Sequence, residues 1–224
     1  MGKAFTLSQS QLKVLLSGCG YTAVRGILFD ESPLDNEVVV NELNSMVNSG
    51  LLQPDGEAFA AIPELKRMID VIGQAASCWY LLTNDPALPD KCLFQGDTLL
   101  CCTVRPYDGG HITLEQLVPE ELVRELIDED YLSESEYNLL PPAQKVLDFE
   151  NEVFADVDFR RTLPPDSPVT LSIERDGEDG ESRFLRVVDY YYCKYIVVCM
   201  DSDIRRIQYS PTNVLSYLKQ MMEQ

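Results

Sequence analysis

Cys78-Trp79-Tyr80-Leu81-Leu82 and, 92 residues further on, Thr170-Leu171-Ser172-Ile173-Glu174 are the two stretches on which the fold turns. Both have the period-2 texture of a strand, and Trp79 and Leu81 stand in the same phase as Leu171 and Ile173. The same offset carries Lys91-Cys92-Leu93-Phe94 onto Arg183-Phe184-Leu185-Arg186. It also carries Thr98-Leu99-Leu100-Cys101-Cys102-Thr103-Val104 onto Tyr190-Tyr191-Tyr192-Cys193-Lys194-Tyr195-Ile196, so that Cys101 lands on Cys193. Further along, Ile112 falls on Ile204 and Pro119 on Pro211, and Leu122, Val123 and Leu126 fall on Val214, Leu215 and Leu218. A proline heading an apolar-periodic run opens a helix. Each half therefore reads β-β-β-β-α, over 77–132 and 169–224, as an internal repeat. The expected class is α+β: an antiparallel sheet built from two pseudo-twofold related halves, with helices covering one face and the other face left to bind.

Ahead of the repeat, residues 1–76 read as a small helical segment. Ser8 caps a helix carrying Leu12, Leu15 and Leu16, and Gly18-Cys19-Gly20 ends it. A second helix from Asp35 spaces Val38, Val39, Glu42, Leu43, Met46 and Val47, with Gly50 as its stop. Leu51-Leu52-Gln53-Pro54-Asp55-Gly56-Glu57-Ala58-Phe59 is a tight turn between two short extended pieces, in the element order of winged-helix modules. Pro63 opens a third helix with Leu65, Met68, Ile69 and Ile72 on one face. The helix that would read DNA, over 36–49, holds Glu37 and Glu42 but no Lys or Arg, and phosphate contact needs cations there. Residues 133–168 connect the two halves through Pro141-Pro142, an acidic helix over 143–157, and Leu163-Pro164-Pro165-Asp166-Ser167-Pro168. The whole is expected to form one compact unit.

A chain of 224 residues, 45% hydrophobic, is long enough to bury an ordinary core. Its net charge of -19 is concentrated, because 113–158 carries fourteen Asp and Glu against only Arg124 and Lys145. Such a surface repels phosphates and suits solubility or a basic partner. Nucleic acid is not expected, since the dense basic sites are two dipeptides, Arg160-Arg161 and Arg205-Arg206. No run approaches the length of apolar sequence that spans a bilayer, and the start Met1-Gly2-Lys3-Ala4-Phe5-Thr6 has no signal-peptide character. Seven cysteines, mostly inside apolar runs, indicate a reducing compartment. The expected location is the cytoplasm.

Catalytic constellations are scarce. His111 is the one histidine, which excludes His-pair and three-His metal sites. There is no Gly-x-Ser-x-Gly turn, no Cys-x-x-Cys pair and no phosphate-cradling loop. Cys101 and Cys102 sit mid-strand with no cation to lower a thiol pKa, and as neighbours they point to opposite faces. Asp128-Glu129-Asp130 and the acidic run over 176–181 lack the ligand spacing of an EF-hand. The tyrosine run, read as one strand, puts Tyr191 and Tyr195 on one face with Cys193, and Tyr190 and Tyr192 on the other, so half of the rings at most serve a partner. No catalytic, cofactor-binding or metal-binding residue is expected, and no cofactor.

The combination resembles the EspG family, the cytosolic chaperones of bacterial ESX (type VII) secretion systems. The resemblance lies in the helix start Leu7-Ser8-Gln9-Ser10-Gln11-Leu12 and in the duplicated halves. It lies also in Glu42-Leu43-Asn44-Ser45-Met46-Val47-Asn48-Ser49-Gly50-Leu51-Leu52-Gln53-Pro54-Asp55-Gly56, which is similar to that family's helix-Gly-Leu-x-x-x-Asp-Gly turn. It implies a quasi-twofold protein that holds a helical secretion substrate soluble in the cytoplasm, without catalysis. Family members grip the tip of a helical substrate through sheet and loops. The tight turn Gln95-Gly96-Asp97 matches no long gripping loop, so no partner-contacting residue is carried over. Two other readings stay open: an acidic immunity or antitoxin-type protein, and a winged-helix regulatory protein.

Overall fold

Ala4, Phe5, Thr6 and Leu7 alternate outward and inward and form strand β1 (Ala4–Leu7), which pairs antiparallel with a strand more than 100 residues away, Leu7 opposite Ile112. Ser8 then opens α1 (Gln9–Gly18) with a capping box: its hydroxyl accepts from the Gln11 N–H at 3.0 Å, and the Gln11 side chain accepts from the Ser8 N–H at 3.0 Å. Two of the helix's orphan donor groups are satisfied in this way. Helix α2 (Asn36–Asn48) buries only Met46, and the antiparallel hairpin of β2 (Leu52–Asp55) and β3 (Ala58–Ala61) follows it. Gly56, at φ 65°, supplies the left-handed turn residue of that hairpin. Helix α3 (Pro63–Gln74) takes its proline at the first turn and buries Leu65, Met68, Ile69 and Ile72. Each of those side chains contributes roughly 1.5–3 kcal/mol.

The computed structural model describes residues 3–27, 33–56, 58–105, 110–137, 163–176, 183–190, 192–200 and 203–222. After α3 come β4 (Cys78–Thr83), β5 (Lys91–Gln95), β6 (Leu99–Arg105), β7 (His111–Leu117) and α4 (Pro119–Asp128). The order then recurs as β8 (Val169–Asp176), β9 (Phe184–Tyr190), β10 (Cys193–Met200), β11 (Asp203–Gln208) and α5 (Pro211–Met222). The class is α+β, with mostly antiparallel strands. Packing divides the chain into two units, Met1–Cys78 with Cys92–Leu117, and Trp79–Lys91 with Val118–Gln224. Strand order runs β1-β7-β6-β5 in the first and β4-β8-β9-β10-β11 in the second. Among the described residues, no helix is long and apolar enough to cross a membrane.

Displaced by 92 residues, each element from β4 to α4 starts within two residues of its counterpart from β8 to α5. The pairing does not follow the same ungapped shift. Val104 faces Ile112 across β6 and β7, which would set Ile196 against Ile204, yet Ile196 faces Ile207. Connection length explains the three-residue difference, since five residues separate β6 from β7 and two separate β10 from β11.

Two other expectations are corrected. The tyrosine run is not one strand: Tyr190 ends β9, Cys193 faces it at the start of β10, and Tyr192 sits at the hairpin tip, 98% exposed with φ 64°. A two-residue hairpin connection calls for positive φ, which overrides the β-propensity of tyrosine there. Nor do β9 and β10 leave an open face. Phe184 to Val188 and Tyr195 to Cys199 are buried without interruption, although successive residues point to opposite sides. Phe184, Val188, Tyr195, Val197 and Cys199 pack with Leu82, Leu163 and Val169, and α5 packs against β9 and β10.

The connecting segment is described only at its ends. Leu163 joins that core, and the Tyr209 hydroxyl donates to the Ser133 carbonyl at 2.6 Å. The acidic helix expected over 143–157 lies outside the described residues.

Among the described residues, Lys91, Arg183 and Arg186 bring charge into the interior. Arg186 pairs with Glu174 at 3.0 Å, its guanidinium stacked 3.8 Å above the Phe184 ring. Lys91, 1% exposed in its side chain, reaches Glu125 at 3.1 Å and Glu129 at 2.8 Å, one turn apart on the α4 side, and lies 5.4 Å from the centre of the Tyr131 ring. The Tyr131 hydroxyl donates to the Pro89 carbonyl.

Truncating Lys91 to alanine leaves two partly buried carboxylates without the cation they share. The expected loss is about 2–3 kcal/mol, or a melting temperature lower by roughly 4–12 °C in a thermal scan. A second expectation concerns Gly73 in α3, where an added Cβ would lie 2.2–2.5 Å from ring atoms of Tyr21. A glycine-to-alanine change inside a helix ordinarily gains up to about 1 kcal/mol. Gly73→Ala is expected to lower the urea midpoint instead, and a raised midpoint would refute the Tyr21 packing.

Candidate docking site

Helices α1, α2 and α3 and the β2–β3 hairpin enclose an open groove of about 980 Å³ within the first unit. Helix α2 leads its apolar residues into it: Val39 and Leu43, one turn apart, line the groove, while Val38 and Val40 beside them stay exposed. Phe59, 56% exposed, stands on the hairpin wall, and Val14 and Leu15 on α1, Leu52, Ala60 and Ala61 on the hairpin, and Pro33 and Leu34 add to the apolar lining. Gly18, at the end of α1, also lines the groove, and a Cβ added there would meet nothing within 4 Å.

The polar side of the groove is ordered by α3. Tyr21 packs on Gly73 and donates to Asp70 at 3.1 Å, and Gln74 donates to the Tyr21 oxygen at 2.9 Å. Lys66 pairs with the other Asp70 oxygen at 2.9 Å. Among the described residues, the charged lining is Lys13 on α1 with Lys66 and Asp70 on α3. Cys19 also faces the groove, and its thiol is pushed up by burial and then by the Asp70 carboxylate, so it is a neutral thiol at physiological pH.

The residues singled out in the sequence do not converge. His111 is exposed at the start of β7, opposite Arg105. Cys101 and Cys102 are buried, and burial first, then the neighbouring Cys101, drives the Cys102 thiol well up. Cys92 is raised by its hydrogen bond to Cys78 and by burial, and the two sulfurs lie 2.3 and 3.0 Å from where a Gly26 Cβ would sit. None of the seven cysteines is in a disulfide, and Cys78, Cys92, Cys101, Cys102 and Cys199 are buried among the packing residues. In the acidic triplet at the end of α4, Glu129 is committed to Lys91 and Asp130 takes φ 66° at the turn that follows. Arg205 bonds Asp203 on its own strand at 2.6 Å. The dipeptide Arg160-Arg161 and the run 177–181 lie outside the described residues, and among the described residues no group of three or more His, Cys, Asp or Glu is placed to hold a metal ion.

The groove is what sequence reasoning missed. Its signal was an excess: Val38, Val39, Val40, Leu43, Met46 and Val47 give α2 more apolar surface than one small module buries. An unshielded phenylalanine beside the Asp55-Gly56 turn was a second sign.

No protein-family profile matches the chain, and no characterised protein matches it in sequence. Its fold does have a counterpart among solved structures. The chain is similar to the Mycobacterium tuberculosis type VII secretion system chaperone EspG5, whose structure was solved in complex with the PE25–PPE41 dimer, with a TM-score of 0.58 at 13% identity over 99% of this chain and 96% of that one.

Proposed function

We propose that this protein is a non-catalytic chaperone or adaptor that binds another protein, works in the cytoplasm, and holds a helical substrate of a type VII-like secretion system soluble. The observation that carries the reading is the likeness of fold to EspG5 along almost the full length of both chains. That chaperone was solved with a protein dimer bound to it, and a protein partner is the corresponding expectation here. The surface supports it independently. A partner-holding protein needs an accessible apolar recess and a means of keeping the complex dispersed. The groove of the first unit supplies the recess, and a net charge of -19 supplies the dispersion. The same charge disfavours nucleic acid, and α2, the helix a DNA-reading module would present, carries no cation.

The test is affinity capture of the tagged chain from its native host with mass spectrometry, followed by co-expression with the captured protein. The expected result is a stoichiometric, predominantly helical secreted protein that precipitates when expressed alone and stays soluble with this chain. Capture of a basic toxin whose activity is neutralised would replace the reading with immunity, and salt-dependent retention on DNA would replace it with regulation. A captured protein that is equally soluble alone would remove the chaperone role.

A further inference from the structure

We infer that β11 is a self-complementary edge, at which two copies of this chain pair antiparallel about Ile204 to form a two-fold dimer. The inference stands apart from the chaperone reading, which needs no second copy. Strand β11 ends the strand order of the second unit, and among the described residues the bridge of Tyr137 to Tyr209 lies past its last residue. Ile204 is 59% exposed there, with Asp203 and Arg205 exposed on either side of it. A bare edge displays backbone donors and acceptors to a strand that matches it.

Which groups it displays follows from the turn. Met200 faces Asp203 across a two-residue connection, and such a turn closes with a hydrogen bond from the N–H of the later residue to the carbonyl of the earlier one. The Asp203 N–H therefore turns toward β10, and alternation turns the backbone groups of Arg205 and Ile207 the same way. Those of Ile204, Arg206 and Gln208 face outward. The Gln208 carbonyl accepts from the Asn213 side chain at 2.9 Å, as a carbonyl turned away from β10 can.

Charge then selects the occupant and the register. Arg205 grips one oxygen of Asp203, Nε at 2.8 Å and Nη2 at 2.6 Å, and both side chains are more than half exposed. Antiparallel strands oppose residues of like phase, so two copies of β11 meet about a residue and not between two. Centred on Asp203, Arg205 or Arg206, the joint sets like charges against each other, and centred on Ile207 it opposes no ion pair. Centred on Ile204, Asp203 of each copy faces Arg205 of the other, and the two Ile204 side chains meet between these pairs. Charged residues ordinarily blunt an edge. Here the order Asp-Ile-Arg makes them complementary to their own reversed sequence, while a net charge of -19 on each copy opposes contacts that lack such pairs.

Sedimentation velocity of the full chain, from about 1 to about 300 µM in about 0.15 M salt, where surface charges act over roughly 8 Å, is the test. The wild type is expected to dimerise with a dissociation constant of roughly 10–100 µM, in keeping with a contact at the small end of protein interfaces. Arg205→Glu and Asp203→Arg, each alone, are expected to weaken it at least about tenfold, because each sets like charges across the joint. Mixed in equal amounts, the two variants are expected to form a heterodimer about as tight as the wild-type dimer, since opposite signs face each other again. Ile204→Pro removes an outward N–H and leaves the β10 ladder whole, so it is expected to be monomeric at every concentration with an unchanged melting temperature. If its melting temperature falls, the charge variants alone decide. A wild type that stays monomeric throughout overturns the inference. So does a dimer that Arg205→Glu leaves intact, or a mixture of the two charge variants that fails to associate. A monomeric wild type whose captured client is lost by Ile204→Pro gives the edge to a strand of that client, and overturns the pairing of two copies.

Discussion

Strands β9 and β10 bury every residue from Phe184 to Val188 and from Tyr195 to Cys199, and that constraint decides where a partner can be met. Alternate residues of a strand point to opposite faces, so unbroken burial means that both faces are spent on the interior. A sheet in that state has no side chains left to offer over those strands. Recognition must then come from loops, edges or helices. In the first unit the opposite holds: three helices and a two-stranded hairpin meet without filling the space between them, and α2 commits a single side chain, Met46, to the core. Among the described residues, the small helical module leaves Val38, Val40 and Phe59 exposed, while on the sheet strands of the second unit the exposed large aliphatic residue is Ile204 on β11.

The buried charges obey the same logic of completeness. Arg186 lies among apolar side chains, and desolvation lowers its pKa, but Glu174 at 3.0 Å and the Phe184 ring face it, so the ionised form is retained. Lys91 is satisfied by two carboxylates of one helix face near the α4 C-terminus, where the helix dipole also favours a cation. Carboxylates that would otherwise read as part of an acidic patch are in this way structural. Counting charges along 113–158 overstates the acidic surface that a partner meets, because Glu125 and Glu129 are turned toward Lys91 and Glu120 is paired with Lys219.

Much of the architecture could be read from the chain because its signals are local. Ser8 with Gln11, Pro63 ahead of Leu65, Met68, Ile69 and Ile72, and Pro119 ahead of Leu122, Val123 and Leu126 each combine a start signal with an apolar face, and each helix begins where those signals put it. What escaped was set at long range or by a turn. Strand β1 is four residues long and exists through its pairing with β7, which nothing in Ala4 to Leu7 announces. Tyr192 has the composition of a strand and the conformation of a turn, because the hairpin needs a residue at positive φ there. The groove escaped for a third reason: sequence periodicity shows which face of α2 is apolar, but whether that face is covered depends on how α1, α3 and the hairpin stop short of it.

The placement of polar groups at that groove bears on how it could hold a partner without becoming a site of aggregation. A wholly apolar recess on a soluble protein invites self-association. Here the Tyr21 hydroxyl, both Asp70 oxygens, Gln74 and the Lys66 ammonium form one hydrogen-bonded row beside Val39, Leu43 and Phe59. That row fixes the Tyr21 ring against Gly73 and keeps one side of the recess wet, so a ligand gains by burying apolar area only if it also offers polar groups along one edge.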